Sequence, residues 1–575
     1  MRNTYFSTKK RLFAMFVAIA FIFFVIFLRL GYIQIVWGKK LQTRALEQWT
    51  RDLPVTADRG DITDTNGIVF ASSGTSYTVY VRPNSVSNHS LVAELLSQAL
   101  KLSYQDVYDK VTAKISENTI KRKITVEEAN LIRSYNLEGV YLAADTSREY
   151  VYGDFLSQVL GFVSSDNTGQ SGLEAYYDKY LRGVDGAILT PSDLVGKELE
   201  GESAYYTPPV SGLNVVTTID FRIQRVVENV LDLVMQGHSP KGARCIVVNP
   251  QTGEVLAMSS KPSVDLNNLP RDNIGELMAS TKNMLITDVY EPGSTFKVLT
   301  AAAMLEEYAR GNPKAHSASY VFPNNANFRI VDGSRVKCWT THTSSKHCNQ
   351  NLGDALNNSC NPIFTDIGLS LGKETMYKYL SAFGYGAVSG IDFAGEQAGL
   401  LVAESAVTNG DLARISFGQT IAVTPLQLAM ATSAAVNGGL LMQPYLVKEI
   451  RTQEGELVKK FYPTVRQRAI SEKVSRELAG LLEKVVTNGS GKQAYIEGFK
   501  VGGKTGTAQK YENGHIAVGK YVSSFVGFFP ADNPQYLALM LVDEPTGAHY
   551  GSTVAAPYAK MIFQQIINYK NLKPA

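Results

Sequence analysis

Three short stretches carry residue types that can do nucleophilic chemistry together. In "YEPGSTFKVLTAAAMLEEY", Ser294 and Lys297 stand three residues apart. Pro292-Gly293 break the chain and the run that follows is strongly helical. This spacing predicts Ser294 near a helix N-terminus, with Lys297 one turn on and on the same face. The positive end of the helix dipole favours developing negative charge at the serine. A lysine kept out of water, or set beside other cations, loses its proton readily and can act as the base. Further along come Ser359-Cys360-Asn361 and Lys504-Thr505-Gly506, followed by Thr507. Lys504, Thr505 and Thr507 can bind a carboxylate. Gly502, Gly503 and Gly506 should let another molecule's backbone approach a strand closely. Each motif alone occurs often by chance. In this order and at these separations, they read as one set.

The second motif closes the stretch "CWTTHTSSKHCNQNLGDALNNSCN", Cys338 to Asn361. It holds three of the chain's 4 cysteines and two of its 7 histidines, so a local reason is needed. Four cysteines in 575 residues do not make a disulfide framework. If Ser359 and Asn361 face a substrate, Cys360 between them points behind, into the protein. A thiolate there is badly placed for catalysis and well placed to bind a metal. Cys338, His347, Cys348 and Cys360 offer three sulfurs and one nitrogen, a set zinc accepts in tetrahedral geometry. His342 and Asp332 are reserve ligands. A Cys338–Cys348 disulfide in a surface hairpin, with Cys360 simply packed, is one alternative, and thiols that bind nothing are the other.

The elements that must position these residues can be read around them. "VVTTIDFRIQRVVENVLDLVMQ" is a strand followed by a helix, whose Ile223, Val226, Val227, Val230 and Leu231 recur at helical spacing. "ARCIVVNPQTGEVLAMSS" is a hairpin, with Cys245 buried in its first strand. "VGGKTGTAQK", "YVSSFVGFFPA" and "QYLALMLVDEP" read as successive strands, and "VAAPYAKMIFQQIINY" as a closing helix. Strands at both ends with helices between predict an α+β domain, with one sheet built from both ends and packed with helices. Upstream, Asn66-Gly67 marks a hairpin turn and "TVEEANLIRSY" a helix start with Thr125 as cap. Residues 38–210 show no catalytic constellation and read as a structural or partner-binding module. The turn-rich "YYTPPVSGLN" ends that module, leaving 211–575 as the catalytic domain.

Balanced charge, 56 basic against 53 acidic residues, argues against nucleic acid as a partner. The first residues are decisive about location. From Leu12 the chain runs LFAMFVAIAFIFFVIFL, is interrupted by Arg29, and continues apolar to Trp37. About 20 apolar residues cross a bilayer, so 12–37 is read as an uncleaved anchor. Its end is too bulky for a signal-peptidase site. Arg2, Lys9, Lys10 and Arg11 precede it, which assigns 1–11 to the cytoplasm and the rest to the outside.

The three motifs, with "YEPGSTFK", "SFGQTIAVTPLQLAMATSAAVNGG", "GGKTGTAQK" and "SSFVGFFPADNP", resemble class B penicillin-binding proteins. "RGDITDTNG" and "GQSGLEAYYDKYLRG" resemble that family's N-terminal pedestal, so the likeness spans the chain. The pedestal wording leans toward the division or sporulation type. The resemblance implies a transpeptidase domain of the serine β-lactamase type, an antiparallel sheet packed with helices. It implies that Ser294 attacks the penultimate D-Ala of a peptidoglycan stem ending in D-Ala-D-Ala, and that β-lactams acylate the same serine. Lys297 would take the serine proton, Ser359 relay it toward the leaving amine, and Asn361 hold the peptide amide. Lys504 and Thr505 would set the local charge, with Thr505 and Thr507 on the carboxylate and Gly506 between them. Backbone N–H groups of Ser294 and Thr507 would hold the oxyanion.

The resemblance further implies a multi-spanning membrane glycosyltransferase as partner and no organic cofactor. Some relatives carry zinc beside the active site, on a histidine and the middle residue of S-x-N. His347, thirteen residues before Cys360, fits that pattern. A β-lactamase-type hydrolase is the first alternative, but no E-x-x-L-N segment is present and the pedestal is foreign to it. A β-lactam sensor would need a larger cytoplasmic part. A catalytically silent scaffold of the wall-building machinery is the remaining alternative, against which the intact motifs stand.

Overall fold

The computed structural model describes residues 2–41, 50–191, 205–323, 326–342, 347–512 and 515–574. Arg2–Ile35 form one helix, of which Thr8–Ile35 is long and apolar enough to cross a membrane. At 1.5 Å per residue its 28 residues reach about 42 Å, more than the roughly 30 Å of a hydrocarbon core. The helix ends at a bend at Val36-Trp37, two residues short of the end expected from hydropathy.

The chain divides into two compact units. The smaller comprises 1–58, 75–147 and 183–211, and the larger 59–74, 148–182 and 212–575. This cut differs from a single boundary near 210. Buried ion pairs explain why two pedestal segments belong with the larger unit. Glu174 is fully buried and accepts from Arg59 Nε and Arg148 Nε, each at 2.6 Å. Arg59 also reaches Asp178 at 2.7 Å, and Tyr177 donates to Asp392 at 2.6 Å. Removing one partner would strand a buried charge, at about 3–5 kcal/mol.

The smaller unit has its own core, in which Val79, Val81, Leu96, Leu100, Val107 and Ile120 meet. Its helix Val126–Ser134 starts at a capping box. Thr125 Oγ1 accepts from the Glu128 N–H at 3.2 Å, and Glu128 Oε2 accepts from the Thr125 N–H at 3.0 Å.

In the larger unit, Phe221–His238 (α1) precedes the hairpin of Gly242–Val248 (β1) and Val255–Lys261 (β2). Lys297–Ala309 (α2) follows, then a small hairpin of Phe328–Val331 (β3) and Ser334–Lys337 (β4). Leu352–Asn357 (α3), Asn361–Leu371 (α4) and Asn409–Ile415 (α5) come next. Gly502–Glu512 (β5), His515–Phe529 (β6), Tyr536–Asp543 (β7) and Ala556–Lys570 (α6) close the chain.

The central sheet has the order β2-β1-β7-β6-β5, antiparallel throughout. Cys245 of β1 stands opposite Met540 of β7, so strands almost three hundred residues apart meet at the centre. Side chains alternate across a strand, and the sheet is covered on both faces. Ala243, Cys245 and Val247 join a core with α1 and α6. Ile246 and Val248 join the other core, which holds α2 and α4. Every side chain of α2 from Lys297 to Glu307 is buried, so this helix is surrounded rather than amphipathic.

Candidate active site

Ser294 lies in a 3-10 turn, Gly293–Phe296, and Lys297 is the first residue of α2. Residues three apart eclipse in a 3-10 turn, which aligns the pair better than an α-helical start would. The turn is braced from behind. Gly293 N–H donates to Gly418 O at 2.9 Å, and a Cβ on Gly418 would sit 2.1 Å from Gly293 O. Ser294 opens on the cleft, while Lys297 is sealed in the core.

Lys297 Nζ donates to Ser359 O at 2.8 Å, Ser359 Oγ at 3.1 Å and Asn361 Oδ1 at 2.7 Å. Burial pulls its pKa down to about 8, against an opposing pull from the sulfurs of Cys338 and Cys360. Lys504 is also fully buried, and burial followed by the charge of Lys297 holds it well below the usual lysine range. Two ammonium groups cannot share this space cheaply, so a neutral lysine is within reach near neutral pH.

The S-x-N motif is a corner between two helices. α3 ends, Ser359 takes a left-handed backbone with φ +54, and Cys360 caps α4. That conformation costs a non-glycine residue about 1–2 kcal/mol, offset here by two hydrogen bonds from Lys297. The corner separates the three side chains. Ser359 and Asn361 line the cleft, and Cys360 is fully buried behind them. Asn361 Nδ2 also donates to Lys337 O at 3.1 Å, which ties the β3–β4 hairpin to the motif.

The K-T-G motif lies on β5, paired with β6 so that Thr505 faces Phe525 and Thr507 faces Ser523. Thr505 Oγ1 donates to Ser490 Oγ at 3.1 Å, and Thr507 Oγ1 accepts from the Gly551 N–H at 3.0 Å. The glycines do not serve a visiting backbone as expected. A Cβ on Gly502 would lie 2.4 Å from the Phe528 ring, and one on Gly503 2.6 Å from the Phe525 ring. The chain's own aromatic side chains fill that space. At Gly506 the obstacle is Ser524 Oγ, at 2.4 Å.

These walls enclose a cleft of about 590 Å³, onto which Ser294, Ser359, Asn361, Thr505, Gly506 and Thr507 open. Motif reading missed several other lining residues. Trp339 donates its Nε1–H to Asn358 O at 2.9 Å, and Tyr521 stacks on His549 at 4.2 Å. Ser490, Arg414, Phe417 and Tyr550 also line the cleft. None lies in a short pattern with the motifs. Only the alternation of "YVSSFVGFF" could have put Tyr521 on a face of a strand.

The thiol stretch forms a cluster, with one change of member. The ligand atoms of Cys338, His342, His347 and Cys360 all lie within 4.8 Å of one another. Cys338 Sγ is 3.9 Å from His347 Nδ1, and Cys360 Sγ is 3.7 Å from His342 Nε2. Cys348, expected as a ligand, lies outside the group, and the reserve candidate His342 stands in it. His347 has a left-handed backbone, φ +64, and is buried, while its neighbour Cys348 is half-buried. Adjacent residues rarely aim at one point. Asp332, the other reserve ligand, instead accepts from the Gly410 N–H at 2.7 Å.

None of the four cysteines is in a disulfide, so the Cys338–Cys348 pairing is not formed. The hydrogen bond between the two sulfurs holds Cys338 below the usual thiol range and, with burial, pushes Cys360 up. His342 Nδ1 is buried without a partner among the described residues. Two sulfurs, two imidazoles and a separation near that of tetrahedral ligands fit zinc.

Residues 243–567 match the family described as the penicillin binding protein transpeptidase domain. Residues 54–217 match the penicillin-binding protein dimerisation domain. Stage V sporulation protein D of Bacillus subtilis is 40% identical over 580 residues, covering 100% of this chain and 88% of that protein. The probable peptidoglycan D,D-transpeptidase PenA of Neisseria meningitidis is 28% identical, covering 99% of this chain and 94% of that one. A peptidoglycan synthetase from Bifidobacterium adolescentis superposes with a TM-score of 0.72, over 92% of this chain and 98% of that one. At 24% identity that likeness speaks for the fold.

Proposed function

The chain belongs to the class B penicillin-binding proteins, peptidoglycan D,D-transpeptidases, and from that membership we propose that Ser294 is the serine acylated by stem peptides and by β-lactams. The observation that carries this reading is Lys297. It is sealed from water, bonded to both Ser359 and Asn361, and one 3-10 turn from a serine open to the cleft.

The steps follow from that arrangement. Neutral Lys297 accepts the Ser294 proton as Oγ attacks the penultimate D-Ala carbonyl. Ser359 Oγ, already hydrogen-bonded to Lys297 Nζ, passes a proton to the leaving D-Ala amine. Asn361 holds the amide on the other side of the reacting carbonyl. Thr505 and Thr507 take the terminal carboxylate, near buried Lys504. Backbone N–H groups of Ser294 and Thr507 receive the oxyanion, each worth about 3 kcal/mol of barrier. An amine from a neighbouring stem then replaces the serine, forming the cross-link.

The cross-linking serves septal or spore wall synthesis, a reading supported by the likeness to a stage V sporulation protein. Thr8–Ile35 anchors the chain in the membrane as a single span. Lys9, Lys10 and Arg11 at its start support a cytoplasmic N-terminus and an outward-facing catalytic unit. A multi-spanning glycosyltransferase would supply the glycan strands. Cys338, His342, His347 and Cys360 would hold a zinc ion. Bound there, zinc supplies a cross-link between the β3–β4 hairpin and the S-x-N corner rather than a reacting centre.

Labelling the detergent-solubilised full chain with fluorescent penicillin tests the assignment. Wild type should label stoichiometrically and Ser294→Ala should not label. An unlabelled wild type would sink the reading, and rapid turnover of the drug would favour a hydrolase.

A further inference from the structure

The wall opposite the K-T-G strand carries charge that none of the steps above uses. Arg335 and Lys337 stand two apart on β4, and both border the cleft. Val336 between them is buried, so the two cations share the opposite face. Arg414 of α5 borders the cleft as well, and among the described residues no Asp or Glu does.

The neighbouring cation shows how unusual this is. Arg329 on β3 stands opposite Val336 and does not border the cleft. Its guanidinium is matched by both oxygens of Asp366, at 2.8 and 2.7 Å. The cleft cations have no such match among the described residues. Arg335 lies over the Phe328 ring at 3.8 Å, and Arg414 donates to Gly410 O at 3.2 Å, with Asp411 of the same helix near enough to feel its charge. An ordinary solvated basic face would not be set against a catalytic motif. Here the Lys337 carbonyl accepts directly from Asn361, and Trp339, two residues on, is tied to Asn358.

We propose that Arg335 and Lys337, with Arg414 beside them, recognise a free carboxylate on the side chain of the stem residue that precedes D-Ala-D-Ala. The proposal rests on the reading of Ser294 as the acylated serine, and the direction follows from it. The terminal carboxylate goes to Thr505 and Thr507, the reacting carbonyl to Ser294, and the preceding amide to Asn361. The next residue of the donor then passes Asn361 and arrives at β4. Its carboxylate would meet planar, multidentate guanidinium donors and a mobile ammonium, a pairing favoured for carboxylates. Because β4 is bonded to Asn361, seating that carboxylate also sets the register of the scissile bond.

The test uses two peptides ending in D-Ala-D-Ala, identical except that the preceding residue carries a free side-chain carboxylate or its primary amide. The full chain in detergent is given either peptide without an acceptor amine. D-Ala release and protection of Ser294 from fluorescent penicillin are both measured. The acid should be preferred about tenfold, mostly through KM, and about 1 M salt should narrow the gap. Lys337→Gln and Arg335→Gln should each cut the preference several-fold at unchanged melting temperature, and the double variant should bring it near one. Equal release and equal protection by the two peptides in wild type would overturn the proposal. So would a preference that survives in the double variant. A preference that appears only when an added acceptor peptide bears the carboxylate would assign these cations to the acceptor and overturn the donor assignment. The reading of Ser294 fails separately, by absence of penicillin labelling in wild type.

Discussion

The two walls of the cleft are held in place by different physics. Ser294, Lys297 and Lys504–Thr507 grow out of the core. α2 is buried from Lys297 to Glu307, and β5 belongs to a five-stranded sheet covered on both faces. The β3–β4 hairpin beside Ser359 and Asn361 is held largely by a few polar contacts and by a thiol–imidazole cluster. A wall made of core fails only when the fold fails. A wall pinned by four ligand atoms can loosen while the rest stands.

The largest effect should come from the core wall. Lys297→Ala should slow penicillin acylation about 10³-fold, within the range for losing a general base. In wild type the acylation rate should rise with pH and level off above about 8, since the base works only when neutral and burial brings its pKa to about 8. A pH-independent rate between 6 and 9, measured by stopped-flow labelling, would break this half of the comparison.

Metal removal should act on the other wall and act less. Protein purified without chelator should carry about one zinc per chain by elemental analysis. A strong chelator should slow acylation about tenfold and lower the melting temperature by at least about 5 °C. Cys348→Ser should keep the zinc, whereas Cys360→Ser and His342→Ala should lose it. Metal-free protein with full activity would show both walls to be equally rigid.

The smallest effect sharpens the contrast further. Trp339→Phe removes the hydrogen bond to Asn358 O but keeps a ring against His347. It should cost about 0.5–1 kcal/mol and slow acylation two- to fourfold. The loss should grow after chelation, because Trp339 and the cluster brace the same hairpin.

The same contrast decided what could be read from the sequence. The motifs of the core wall are short, and strand and helix periodicity places them. The pairing of strands from both ends of the domain was legible in "ARCIVVNPQTGEVLAMSS" and "QYLALMLVDEP". The other wall was harder. Asp332-Gly333 turns β3 into β4 with φ +49 and +74, a recognisable hairpin signal that lies inside a polar, unpatterned stretch. Choosing His342 over Cys348 required knowing that His347 turns left-handed, which spacing does not reveal. The role of Gly502 and Gly503 depended on where Phe525 and Phe528 project, and Tyr521 meets His549 only once the sheet is built. The division of the pedestal likewise turns on Glu174 meeting Arg59 across more than a hundred residues.

The central sheet has a consequence for the order of events in a cell. β1 at Gly242–Val248 has its neighbour β7 at Tyr536–Asp543, and β5 with its K-T-G residues reaches β1 only through β6 and β7. A chain made N-terminus first presents Ser294 and Lys297 long before the strands that complete their cleft. The nucleophile is therefore made early and armed late. A chain that ends before β7, β6 and β5 holds the serine and its lysine but cannot yet act.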